Sequence, residues 1–164
     1  MLKLLQQQYD WIRSARQDML AFLEELPLQI LHQPVPEFGY GTIIRTHLHV
    51  VDCYRYWLES FAFRKLNDHW DVYVHETADV KFVRKRFAEV DELVQVFLRE
   101  FDDRWYESIE QDESWQGYPK ELTPLLLLTH AETHEFHHRG QIVTMARHLG
   151  YPPPVDDRLG GLFT

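Results

Sequence analysis

The sequence predicts an all-α protein, a single four-helix bundle spanning residues 1–164 with a long connection before the last helix. Three observations carry that expectation. Apolar residues recur at three- and four-residue steps in four separate stretches, the period of a helix with one buried face. Capping residues, prolines and glycines punctuate the chain between those stretches. A chain of 164 residues with 45% hydrophobic and 26% charged side chains suits one ordinary domain with a core of its own.

The first stretch runs from Leu2 to Leu26, where Leu5, Tyr9, Ile12, Met19, Phe22, Leu23 and Leu26 form one stripe and Pro27 ends the helix. The segment PVPEFGYG, Pro34 to Gly41, has two prolines, two glycines and no period, so it reads as a loop. Thr42 then caps a second helix, extending to about Arg64, with Ile44, Leu48, Val51, Tyr54, Leu58 and Phe61 on its core face. After a polar and aromatic stretch from Lys65, Thr77 or Asp79 caps a third helix carrying Val80, Val83, Phe87, Val90, Val94, Phe97 and Phe101. Arg104 to Leu122, with Trp105, Trp115, Gly117 and Pro119, is expected to be a long connection with room for short strands. The last helix has the clearest ends: Thr123 as cap, Pro124 at the first helical position, Gly150 just past the end and Pro152 to Pro154 beyond.

Composition excludes several classes of function. The formal net charge is -9, so the average surface repels phosphate backbones and anionic lipid heads, and nucleic acid is not an expected partner. No apolar run reaches the roughly 20 residues a membrane span requires. The amino terminus lacks the apolar region of a secretory signal, and a single cysteine, Cys53, allows no intramolecular disulfide. The expectation is a cytoplasmic protein.

The chemistry sits in the histidines. Of ten, His130, His134, His137 and His138 fall within nine positions of the last helix. Residues four apart share a helix face, so His134 and His138 can converge on one ion at the ~2.0–2.1 Å that zinc requires of nitrogen. His130 and His134 could do the same, but all three cannot ligate one ion, because eight residues rise ~12 Å along a straight helix. Gln141, three residues beyond His138 on that face, favours the His134 and His138 pair and is a candidate to hydrogen-bond a metal-bound water. His49 in HLHVVDCYRYWL is the best-placed third ligand, with His47 as the fallback and Asp52 a candidate carboxylate to orient the imidazole. Solvated or hydrogen-bonded histidines are the competing reading, and burying several imidazoles beside PLLLLT without partners would be costly.

The same residues spell His-Glu-x-x-His at His134, Glu135 and His138, which makes Glu135 a candidate general base. A protease would need a further ligand from downstream acids such as Asp156 or Asp157, and a di-iron bundle would need a second Glu-x-x-His beside Glu135 to His138. Gly140 inside a helix suggests that another backbone approaches closely, and Arg139 could pair with an acid or be solvated. Cys53, one turn from His49, is either core or a neighbour of the metal.

With HEFHHRGQ in the last helix, HVVDCYRYWL in the second and LGYPPP at the end of the last, the sequence resembles the DinB/YfiT-like superfamily over essentially its whole length. That resemblance implies a four-helix bundle, often a homodimer, binding zinc, nickel or a similar divalent ion, with the ligands falling on His49, His134 and His138. Tyr54 stands where many members of the superfamily have a glutamate. Because related bundles include enzymes that use a low-molecular-weight thiol, the leading expectation is a metal-dependent transferase that adds such a thiol to a small electrophilic substrate. Metal-assisted hydrolysis with Glu135 as base is the enzymatic alternative. A non-catalytic module that senses or stores a metal is the other, and a fourth ligand such as His130 would favour it.

Overall fold

The structure is a computed structural model that describes residues 1–65, 77–110 and 121–153. Its elements in order are α1 (Leu2–Glu24), a one-turn α2 (Leu28–Leu31), α3 (Ile43–Tyr54) continued by a wider π-helical segment (Arg55–Phe61), α4 (Val80–Glu100) and α5 (Pro124–His148). The described residues hold no strand, and no helix among them is long and apolar enough to cross a membrane. The predicted Trp115, Gly117 and Pro119 and the terminal Pro154, Asp156 and Asp157 lie outside the described residues. The described start of the long connection is a series of turns, pinned by Ile109 N–H on the Leu122 carbonyl (2.9 Å).

The helices form where caps and periodicity require. The hydroxyls of Thr42 and Thr123 accept the backbone N–H groups of Arg45 and Leu126, and Asp79 rather than Thr77 caps α4 by accepting from Phe82. At the other end of α5, Gly150 takes φ +86°, its N–H reaches the Arg147 carbonyl (3.0 Å), and Tyr151 N–H reaches the Ala146 carbonyl (2.8 Å), a Schellman ending. Every apolar position read from the period of the third helix is buried, from Val80 to Phe101.

Around the bundle α1 packs on α4, α4 on α3 and α3 on α5. One buried polar network closes the circle. Arg16 from α1 makes a bidentate pair with Glu135 from α5 (2.7 and 2.9 Å) and also reaches Asp91 from α4 (2.7 Å). Tyr54 from α3 donates to Glu135 (2.8 Å), and Tyr9 from α1 donates to Asp91 (2.8 Å). Burial first, then the Glu135 charge, pushes the Tyr54 hydroxyl well above its ordinary range, so it stays a donor.

The second helix departs from expectation in one respect. Beyond Tyr54 its turns widen, and Ala62 N–H reaches the Trp57 carbonyl (3.1 Å), five residues back. Periodicity misses this because Tyr54, Leu58 and Phe61 keep steps of four and three through the wider segment.

Candidate metal centre

Three imidazoles meet where α3 faces α5. His49 Nε2 lies 3.0 Å from His134 Nε2, and His138 Nε2 lies 3.1 Å from the same atom. Nitrogens bound tetrahedrally to one ion at 2.0–2.1 Å would stand about 3.3 Å apart. The three side chains can therefore hold a divalent ion with little movement.

Proton bookkeeping supports that fit. His138 Nδ1 is 2.6 Å from Gln141 Oε1, which can only accept, so the proton of neutral His138 sits on Nδ1 and its Nε2 presents a lone pair. Burial lowers the pKa of all three rings, His49 to about 4 and His134 to about 3, with His138 moved in the same direction. With neutral rings in this arrangement, at most one of the two close Nε2 contacts can contain a proton. A cation between the three nitrogens removes the remaining lone-pair conflict.

The surroundings define what could approach. A cavity of about 400 Å³ opens over His49 and His134, with Tyr40, Tyr56 and Trp57 as an aromatic wall. Arg45, Asp52, Cys53 and His130 complete its lining. The Tyr40 ring stacks on His49 with centroids 3.7 Å apart and 26° between planes. Burial, then the charge of Asp52, pushes the Cys53 thiol up to about 12, so it is no nucleophile near neutral pH.

The predicted residues take separate places. His47 is not in the cluster: its ring is buried, edge-on to Phe87 (5.9 Å), with neither nitrogen hydrogen-bonded among the described residues. His130 packs edge-on against Trp57 (5.5 Å), and His137 meets the Gln141 amide (3.2 Å). Among the described residues no fourth side chain joins the three imidazoles. Gln141 holds His138 rather than facing the open side of the cluster. Glu135 turns its carboxylate away to Arg16 and Tyr54, because the residue after His134 is rotated ~100° about the helix axis. Asp52 lines the cavity, and no hydrogen bond joins it to His49 among the described residues. Arg139 lies over the Phe136 ring (5.7 Å) and forms no ion pair among the described residues.

A family-wide sequence model described as the DinB family matches residues 1–163. The chain belongs to the DinB family. Protein DinB of Bacillus subtilis (strain 168) is similar to it, 28% identical over 160 residues that cover 91% of this chain and 88% of that protein. As the superfamily resemblance implied for this DinB-family chain, it is an all-helical bundle, and the three implied ligands lie together in a group that can hold a metal.

Two residues that shape the site were missed in the sequence. Arg16 continues the stripe of Tyr9, Ile12 and Met19, and a lone charge on a core stripe is a readable signal of a buried ion pair. Gly39 is the other. It has φ +46°, and a Cβ there would lie 2.8 Å from Thr46 Oγ1 and 3.0 Å from Gln141 Oε1, the atom that orients His138. Gly140, expected to mark a close approach, would meet nothing within 4 Å among the described residues.

Proposed function

We propose that this chain binds one zinc or nickel ion at His49, His134 and His138 and is a transferase that joins a low-molecular-weight thiol to a small electrophile. The observation that carries the reading is the convergence of three Nε2 atoms, 3.0–3.1 Å apart about His134, beneath an aromatic-walled cavity of about 400 Å³. Imidazole donors suit both metals. An ion so held supplies positive charge that favours the anionic form of a thiol or water beside it.

The chain's own groups do the rest. The aromatic wall of Tyr40, Tyr56 and Trp57 holds the apolar body of the substrate and displaces water. In the transfer the thiol loses its proton, its sulfur bonds to the electrophilic carbon, and the leaving group departs with its electron pair. Asp52 is the carboxyl group among the lining residues and serves as proton acceptor; burial raises its pKa towards that of a working base. The hydrolytic alternative is less well supported, since its base, Glu135, is committed to Arg16. The non-catalytic alternative wanted His130 as a fourth ligand, and that ring is packed on Trp57.

A cytoplasmic setting suits the free, buried Cys53. A homodimer would cover exposed apolar side chains such as Leu4 and Trp11 on α1. The deciding experiment is elemental analysis of protein without a histidine tag, followed by titration of the cobalt-substituted chain with glutathione and bacillithiol. About one ion per chain and a thiol-dependent change in the cobalt spectrum are expected. Absence of metal after supplementation, or a spectrum indifferent to thiols, would remove this reading.

A further inference from the structure

We propose that Arg45 anchors a carboxylate on the small molecule that occupies the cavity, so that the site selects anionic ligands. This deepens the proposed function: it assumes that the cavity over the histidines receives the small molecule, and it does not require the metal.

Position comes first. Arg45, His49, Asp52 and Tyr56 follow one another at steps of four, three and four, so one face of α3 and its wider continuation lines the cavity. Arg45 stands one helical turn, about 6 Å of rise, before His49. A ligand with its reacting end at the imidazoles would thus place a group a few bonds away against the guanidinium.

Charge gives the second argument. In a chain with 26 acidic and 17 basic residues, Arg13, Arg16, Arg55, Arg84, Arg86 and Arg104 each reach a carboxylate. The exposed Arg45 side chain, like those of Arg99 and Arg139, has no ion-pair partner among the described residues, but of the three it alone borders the cavity. Its position is also electrostatically adverse. Arg45 lies in the first turn of α3, where the helix dipole disfavours a cation, and that turn contains no acid to offset it. A bound carboxylate would satisfy the planar guanidinium with two hydrogen bonds and complement the helix end. The backbone N–H of Arg45 is already taken by Thr42 (3.2 Å), so recognition falls to the side chain.

The other charged group of the cavity does not compete. Asp52 is seven residues further on, roughly 10 Å along the helix, and forms no ion pair with Arg45 among the described residues. The cavity is therefore cationic at the amino end of α3 and aromatic along its wall, a fit for a carboxylate carried on an apolar body.

The test compares 3-phenylpropionate with its uncharged amide, 3-phenylpropanamide, by calorimetric titration at low ionic strength into the full chain and into R45Q and R45K. Metal content is measured on every sample, and circular dichroism checks the fold. Expected are a preference of about tenfold or more for the carboxylate in the unmodified chain, its loss in R45Q and its partial return in R45K. Equal affinity for the two probes, no binding of either, or a preference that survives in R45Q would overturn the proposal. The metal reading stands or falls separately. An Arg45-dependent preference in a chain without metal supports the anchor and sinks the metal; metal without preference does the reverse.

Discussion

The fourth long helix carries two polar clusters side by side, and they obey opposite rules. Glu135 and its partners answer one another: Arg16 fills both carboxylate oxygens, Tyr54 adds a donor, and Asp91 takes the remaining guanidinium edge. One residue earlier, His134 meets His49 and His138 nitrogen to nitrogen, an arrangement with more lone pairs than protons. A saturated network holds helices in place and has nothing left to offer a ligand. An unsaturated, convergent one binds little but a cation. The His-Glu-x-x-His spelling runs across both, and this explains why its glutamate does not share the work of its histidines.

The largest expected effect separates the two clusters. H134A should reduce metal content from about one ion per chain to background by elemental analysis, while the thermal midpoint of the metal-free protein shifts little. R16A should do the opposite to stability. It leaves the Glu135 charge buried and unpaired, which costs about 3–5 kcal/mol in urea denaturation. If H134A unfolds the chain, or R16A leaves its stability within about 1 kcal/mol, the division into a structural and a binding cluster is wrong.

Much of this was legible in the sequence. Helical stripes, the caps Thr42 and Thr123 and the stop at Gly150 are local signals, each set by chemistry within a few residues, and they appear where the period places them. His134 and His138 are four apart on one helix, so their meeting is also local, whereas His49 comes 85 residues earlier and depends on α3 packing against α5. The fate of Glu135 was not legible, since its partner Arg16 lies 119 residues away and only the break in an apolar stripe marks it. Nor was the role of Gln141, because spacing places a side chain on a face without fixing which atom it meets.

Gln141 gives the next, smaller effect. Its Oε1 fixes the His138 tautomer, so Q141A should weaken metal binding by roughly 10–100-fold, measured by competition with a chromophoric chelator, with His49 and His134 still bound. Q141E should retain much of the affinity, since a carboxylate oxygen accepts the same Nδ1–H. Equal losses in the two variants would mean that Gln141 acts by packing instead.

The smallest effects come from two glycines: the sequence singles out Gly140, whereas the close approach falls at Gly39. G39A adds a Cβ at 2.8 Å from Thr46 in a left-handed backbone, which costs about 1–2 kcal/mol, and it presses on the Gln141 oxygen, so metal affinity should fall with stability. G140A sits in a helix with open space around the added methyl and should instead stabilise by up to about 1 kcal/mol with metal affinity unchanged. Measured together by urea denaturation and chelator competition, the pair tests whether the loop before α3 supports the metal centre. If G39A loses stability alone, that loop serves the fold; if metal affinity falls too, the contact from Gly39 through Gln141 to His138 belongs to the site.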